Sequence, residues 1–413
     1  MALFNPIKKT KTNILTTPIK EGQFLCATDT GDMFLDISNS ERIQCGISGV
    51  QKTTDLLRFY GTDKVGEQTT YDVTDIYGIE QKQLMQAAVI DNGYIYTTND
   101  GWNTFTERTN VGSRKWYCIS ISPANPLVQT AVVYNGYIYT TTDGWNTFTE
   151  RTNVGSKGWY FIKVSPTNPL VQTAVVYNGY IYTTTDGWNT FTERTNVGSL
   201  SWFAVDIYYA NPLIQTAVGG GYIYTTNDGW ATFTQHTNVG SLMWTSISIS
   251  PTNPLVQTAG VTTTYNANYI YTTNDGWATF TKRTNVGTGS WERVLISFQN
   301  PLIQIAVGSS SKYIHTTTDG WDTFTQHTNV GSRQWRSISI SPINPLVQTA
   351  VASSSYIYTT TDGWATFTER TNVGNVGNSY LNQWKFIDNG DLHIIEKYGL
   401  MQRVEALEKL LNS

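Results

Sequence analysis

The stretch TTTDGWNTFTERTNVGS fills Thr140–Ser156 and returns without a single change at Thr183–Ser199. Its Asp-Gly-Trp core places an aspartate at Asp100, Asp143, Asp186, Asp228, Asp275, Asp319 and Asp362, in steps of 43, 43, 42, 47, 44 and 43 residues. A near-constant period of this size marks a repeat architecture, so the chain is read as copies of one unit and not as several unrelated domains. Between two copies run WYFIKVS (Trp159–Ser165), LVQTAVVY (Leu170–Tyr177), YIYTT (Tyr180–Thr184) and FTERTN (Phe191–Asn196). These runs are rich in β-branched and aromatic residues and are separated by PTNP, NG, DGWN and NVGS turn chemistry, which predicts four antiparallel strands per unit, A to D.

A four-stranded unit of this length cannot bury both of its faces alone. Stacking such sheets radially into a closed β-propeller covers the faces and protects the edges. The expected fold class is all-β: a seven-bladed β-propeller of four-stranded antiparallel blades over residues 66–374, preceded by a hairpin-containing attachment region at 1–65 and followed by a hairpin and short helix at 375–413. A linear solenoid would need polar capping repeats, which the first and last units do not resemble.

Composition agrees. Charged residues make up only 14%, against 34 Gly, 25 Tyr and 14 Trp, a mix suited to a turn-rich β protein with broad aromatic surfaces. The net charge of −4 and the lack of a Lys/Arg run argue against nucleic acid as a partner. No run reaches membrane-spanning length, and MALFNPIKKTKTN turns polar too early for a signal peptide, so no membrane insertion is expected. Cys26, Cys45 and Cys118 are an odd count without metal-ligand spacing and read as small buried hydrophobes.

The segment TTTDGWNTF resembles the Asp-box (BNR) motif of sialidase-like propellers, matched here by Thr141, Asp143, Thr147 and Phe148. The motif's second glycine is Trp in all seven copies. The structural reading of Asp100, Asp143, Asp186, Asp228, Asp275, Asp319 and Asp362 is a carboxylate accepting amides of its own turn. A calcium loop would need more oxygen ligands than one carboxylate offers, so no metal and no cofactor are expected. Sialidase chemistry would require converging arginines, a Tyr with a Glu partner and an acidic donor. Arg108, Arg151, Arg194, Arg283 and Arg370 instead share one position on strand D and read as a solvated rim. The repeated aspartates are translational copies, not a converging pair, and no catalytic set emerges.

Comparison of the units with one another separates fixed from variable positions. The A-to-B turn and the Asp-Gly-Trp turn are nearly invariant and fall on one face; the D-to-A and B-to-C turns drift and fall on the other. Drift is either relaxed constraint or a diversified binding surface. The Trp that opens each strand A near the drifting face suits sugar stacking, and it equally suits blade-to-blade core. The candidate ligand residues are therefore Arg114, Trp116, Tyr117, Trp159, Tyr160, Trp202, Phe203, Trp244, Trp291, Trp335 and Arg336.

The ends differ in kind. A hairpin is predicted with Gln23–Thr28 and Asp32–Ile37 as its arms. The surrounding PIKEGQFLCATDTG (Pro18–Gly31) is similar to a segment near the N-termini of tail-fibre and baseplate-appendage proteins of tailed phages. That resemblance implies a virion protein made in the host cytoplasm, with other tail or baseplate proteins as partners and a host cell-surface glycan as ligand. Strand A of the first blade is supplied by Tyr71–Tyr77 or, as a closing strand, by Trp384–Asp388. Leu400, Val404, Leu407 and Leu411 follow a/d spacing, which predicts either self-association, trimeric by analogy with such appendages, or a helix packed on the propeller.

Overall fold

In a computed structural model of the chain, residues 85–262, 268–373 and 383–390 are described in full, together with Pro18 and the backbone of six strands nearer the N-terminus. The chain divides into two compact units, Met1–Lys82 and Gln83–Ser413. In the first, Ile7–Lys9, Phe24–Ala27, Met33–Asp36 and Arg42–Gln44 form a four-stranded sheet. The expected hairpin is its central pair, with Phe24 opposite Leu35 and Cys26 opposite Met33. A separate antiparallel pair, Arg58–Asp63 with Glu67–Asp72, straddles the boundary expected near residue 65.

The second unit is a seven-bladed propeller. Strand A of blades 2 to 7 is Arg114–Ser122, Lys157–Val164, Trp202–Ile207, Trp244–Ile249, Trp291–Ile296 and Trp335–Ile340, and in each blade strands B, C and D follow in antiparallel order. Blade 1 has B, C and D at Gln86–Gly93, Ile95–Thr98 and Thr106–Glu107, but takes its strand A from Gln383–Asn389. Trp384 lies opposite Ile90 and Asn389 opposite Gln86. Of the two expected sources for this strand, the distal one is used, and the propeller extends past the expected limit at 374. Each strand A packs against those of its two neighbours, and that of blade 1 packs against those of blades 2 and 7, so the ring closes. Residues 391–413, with the second arm of the expected hairpin and the expected helix, lie outside the described residues.

The repeated turn explains why the motif is fixed. In blade 2, Asp143 accepts the amide of Thr147 at 2.9 Å and the hydroxyls of Thr141 and Thr147 at 2.9 and 2.7 Å. The amide of Gly144 donates to Leu127 in the A-to-B turn at 3.0 Å, tying the two invariant turns together on one face. The residue that replaces the expected glycine adopts a left-handed backbone in every copy, with φ between 71° for Trp102 and 77° for Trp321. That conformation costs a non-glycine residue about 1–3 kcal/mol. Here it is offset by complete burial of the indole and by a bond from its Nε1 to the strand-B glutamine, 2.7 Å for Trp188 to Gln172. The same pair recurs in all seven blades.

The strand-D arginines are not the solvated rim that the sequence predicts. Arg108 is half-buried, with Nε on Thr97 of its own blade at 2.9 Å and an Nη on Asn146 of the next blade at 2.8 Å. His236 and His327 take this slot in blades 4 and 6, bonded to Thr225 at 2.8 Å and Thr316 at 2.7 Å. Beside them, the Asn of each NVG turn reaches the next blade's Trp carbonyl, and Asn372 of blade 7 reaches that of Trp102 in blade 1 at 3.1 Å. Blade-to-blade stitching, not solvation, is the role of this segment, and the Asn that makes the link is the same in all seven copies. Cys118 is buried as expected, and burial pushes its thiol up to about 12; the side chains of Cys26 and Cys45 lie outside the described residues.

Candidate functional site: an axial ring on the variable face

Strand A decides what faces the axis. In all seven blades its register against strand B slips just after the Trp, between Trp116 and Cys118 in blade 2 and between Trp384 and Phe386 in blade 1. Such a bulge sets two residues against one and re-aims the side chain in between. The Trp turns into the space between blades while the next residue turns to the axis.

Trp116, Trp159, Trp202, Trp244, Trp291 and Trp335 are therefore not ligand platforms: none is more than 1% exposed. Trp159 packs edge-on to Tyr182 at 4.9 Å and meets Trp188 at 6.4 Å, and the pattern repeats around the ring. Trp291, Trp335 and Trp384 also donate Nε1 to carbonyls of the preceding blade, at Asn268, Lys312 and Ser355, so of the two sequence readings the core one is observed. Arg114 is also diverted, with its guanidinium 4.7 Å above Tyr139 of strand C and its Nε on Val111.

The residues after the Trp are Lys385, Tyr117, Tyr160, Phe203, Thr245, Glu292 and Arg336, all half-buried. They form a ring around the axis on the variable face. Lys385 sits 4.3 Å above the Tyr117 ring, Tyr117 meets Tyr160 at 5.1 Å, Tyr160 meets Phe203 at 5.5 Å, and Arg336 pairs with Glu292 at 3.3 Å. Most members are backed by a residue in strand B of the same blade or just past its end. Tyr134 stacks on Tyr117 at 4.8 Å, Tyr177 lies 6.0 Å from Tyr160, Asp91 is 3.8 Å from Lys385, Ser309 donates to Glu292 at 2.9 Å, and Arg336 donates to Ser353 at 2.6 Å.

The ring has two chemically distinct sides. Blades 2 to 4 present aromatic faces, with Lys115 4.7 Å over Tyr134, while blades 6, 7 and 1 present Glu292, Arg336 and Lys385. Burial, with the charge of Asp91 beside it, pushes the Tyr117 phenol up to about 12, and burial also holds Tyr160 protonated. Burial lowers Lys385, with Asp91 opposing that shift. At neutral pH the phenols are thus hydrogen-bond donors beside a fixed ion pair.

Tyr117, Tyr160, Phe203 and Arg336 were legible as candidates and are brought together. Tyr134, Tyr177, Glu292, Lys385 and Asp91 were missed. A signal existed for them: at the position after the Trp, and at the facing end of strand B, the chemistry changes from unit to unit while the Trp itself stays fixed. Asp206 and Asp388, also missed, lie deeper along the axis toward the opposite face. They serve the fold, since Asp206 accepts the amide of Ile249 at 2.8 Å and Asp388 that of Ile121 at 2.9 Å, as Ser120 and Ser248 do for Val164 and Ile296. No cluster of metal-ligating residues occurs among the described residues.

No family model and no curated protein matches this chain. Among solved structures it is similar to the GH74 xyloglucanase from Xanthomonas campestris, with a TM-score of 0.57 at 9% identity over 75% of this chain and 53% of that one. It is also similar to AFV00434, described as an ancestral GH74 enzyme, with a TM-score of 0.52 at 12% identity over 76% of this chain and 47% of that one. A third likeness is the β-propeller domain of Cps50 (Swd1) from Myceliophteria thermophila, with a TM-score of 0.51 at 10% identity over 65% and 90%. The chain thus spans about half the length of the GH74 proteins it matches. At these identities the likeness establishes the propeller fold and nothing about the ligand.

Proposed function

We propose that the propeller is a non-catalytic adhesion module that binds a surface glycan at the axial ring, carried on a phage or phage-tail-like tail appendage. The observation that carries this reading is the two-sided ring: aromatic faces stack on the apolar faces of sugar rings, while the facing carboxylate, guanidinium and ammonium groups hydrogen-bond their hydroxyls. Chain direction supports it. Met85 and Gly390, the two ends of the described propeller, both lie at the A-to-B-turn end of blade 1, opposite the ring. The virion assignment rests on the resemblance of Pro18–Gly31 to tail-appendage proteins noted in the sequence, with other tail proteins as docking partners and several copies per particle providing avidity.

A glycan array and whole-cell binding with the full chain test the reading. Binding that is lost in a Tyr117→Ala/Tyr160→Ala variant of unchanged melting temperature supports it; silence on host cell-wall extracts, or release of reducing ends from a bound polysaccharide, defeats it.

A further inference from the structure

Midway along the axis the channel is closed by three side chains. Arg293, from strand A of blade 6, places its guanidinium carbon 5.0 Å from the ring centre of Phe161 in blade 3 and 4.8 Å from that of Phe386 in blade 1. The two rings meet edge to face at 5.4 Å. On the A-to-B-turn side of this plug lies a cavity of about 140 Å³, lined by Arg293, Lys163, Asp206, Ser248, Ser339 and Asp388 and rimmed by prolines and aromatics of the A-to-B turns. It is a separate space from the axial ring, at the other end of the axis.

The polar groups of its wall are mostly engaged with the fold. Asp206 accepts the amides of Ile207 and Ile249 at 3.0 and 2.8 Å and lies 3.5 Å from Lys163 Nζ; Asp388 accepts that of Ile121, and Ser248 that of Ile296. Arg293 is the exception. It is 6% exposed, its Nε has no hydrogen-bond partner, and among the described residues no carboxylate lies within ion-pair distance of it. A guanidinium does not shed its proton in a protein, so this is a buried cation with no carboxylate in contact, and Asp388 and Asp206 act on it only from beyond ion-pair distance. Asp388 is a poor substitute, because burial raises its carboxyl toward the neutral form. Stacking between two rings holds the fork flat and compensates part of its lost hydration, but supplies no acceptor for its N–H groups.

We infer that this cavity is a second ligand site, taking a small carboxylate that pairs with the Arg293 fork, with Lys163 as the second cation beside it. A planar carboxylate matches a guanidinium fork through two parallel bonds, and the cavity has room for a small acid or several waters. The acid is either a free one or the carboxylate borne by a sugar.

Titration calorimetry and thermal unfolding of the full chain decide it, using sodium acetate and sodium D-glucuronate, with D-glucose and sodium chloride at matched ionic strength as controls. Saturable binding of acetate, glucuronate or both, with no response to glucose, is the expected result, and which acid binds tells a bare carboxylate from a sugar-borne one. Arg293→Met weakens that binding by at least about tenfold, the loss expected when one partner of a buried charge pair is removed. Tyr117→Ala, at the far end of the axis, leaves it unchanged, so a failed glycan assay and a failed carboxylate assay are independent. Should Arg293→Met not fold, Lys163→Gln provides the second variant, expected to weaken the same binding. Equal behaviour of both acids and sodium chloride, or full affinity retained without Arg293 or Lys163, overturns the assignment.

Discussion

Gly390 donates its backbone N–H to the carbonyl of Met85 over 2.9 Å, so the point where the chain leaves the propeller is bonded to the point where it enters. Between them the chain has travelled the full ring, and the strand that ends at Asn389 completes the blade that starts at Gln86.

Closure by the last strand makes stability depend on it. Residues 83–390 are expected to fold as a monodisperse, protease-resistant propeller, whereas a chain stopped at residue 382 leaves strand B of blade 1 as an open apolar edge with no partner. Limited proteolysis and size-exclusion chromatography of the two chains compare them directly. Equal resistance of both would show that the closing strand is dispensable.

The indole-to-glutamine bond is the second point of leverage. Trp188→Phe retains most of the ring's packing but leaves Oε1 of buried Gln172 without its 2.7 Å donor. An unsatisfied buried acceptor costs about 1–3 kcal/mol, and urea unfolding should register that loss with little change in slope. An additional Gln172→Leu change should recover part of it, because then neither partner is stranded.

His315 occupies the strand-C position held by Tyr in the other six blades and is 3% exposed, 5.1 Å from Trp291. Burial lowers its folded pKa to about 4. Because the unfolded imidazole binds its proton more readily, the contribution of this site to stability is intact above the unfolded pKa near 6.5 and is lost as pH falls from there to about 4. The loss amounts to about 3 kcal/mol, and burial shifts His236 and His327 in the same direction. Melting temperature should decline from pH 7 to pH 4, and His315→Tyr should flatten the curve. An unchanged slope in that variant would remove His315 as its origin.

A further loss is expected at lower pH. Hydrogen bonds from Thr232 hold Asp228 down at about 2, those from Thr323 do the same for Asp319, and the other turn aspartates are lowered too. A depressed carboxylate contributes stability above its unfolded pKa near 4 that disappears as pH falls toward 2. Equilibrium unfolding in the His315→Tyr background isolates this limb; a flat response below pH 4 would contradict it.

The repeat made much of the fold legible. Thr140–Ser156 and its copies carry the period, the turn chemistry and the alternation, and these are local properties of the chain. They were enough for the blade, its four strands, the propeller and the role of the turn aspartates. The face on which the candidate site is sought also came from comparing the units, since constraint and drift separate by face.

What the sequence could not state is where each side chain of strand A points. Straight alternation would send the Trp and its successor to opposite sides of the sheet without saying which meets the axis, and the bulge between Trp159 and Phe161 settles that only through pairing with strand B. Trp159 thereby becomes core, and Tyr160 joins the half-buried axial ring. Closure was half legible: Trp384–Asp388 was one of two candidates for strand A of blade 1, and the choice falls to it only once six other blades have brought Gln383–Asn389 back to Gln86–Asp91. The buried cation at Arg293 depends on the same circumstance: three blades distant in sequence must converge on one axis before Arg293, Phe161 and Phe386 can touch. The repeated unit is a local property of the chain; which of its side chains meet depends on the closed ring.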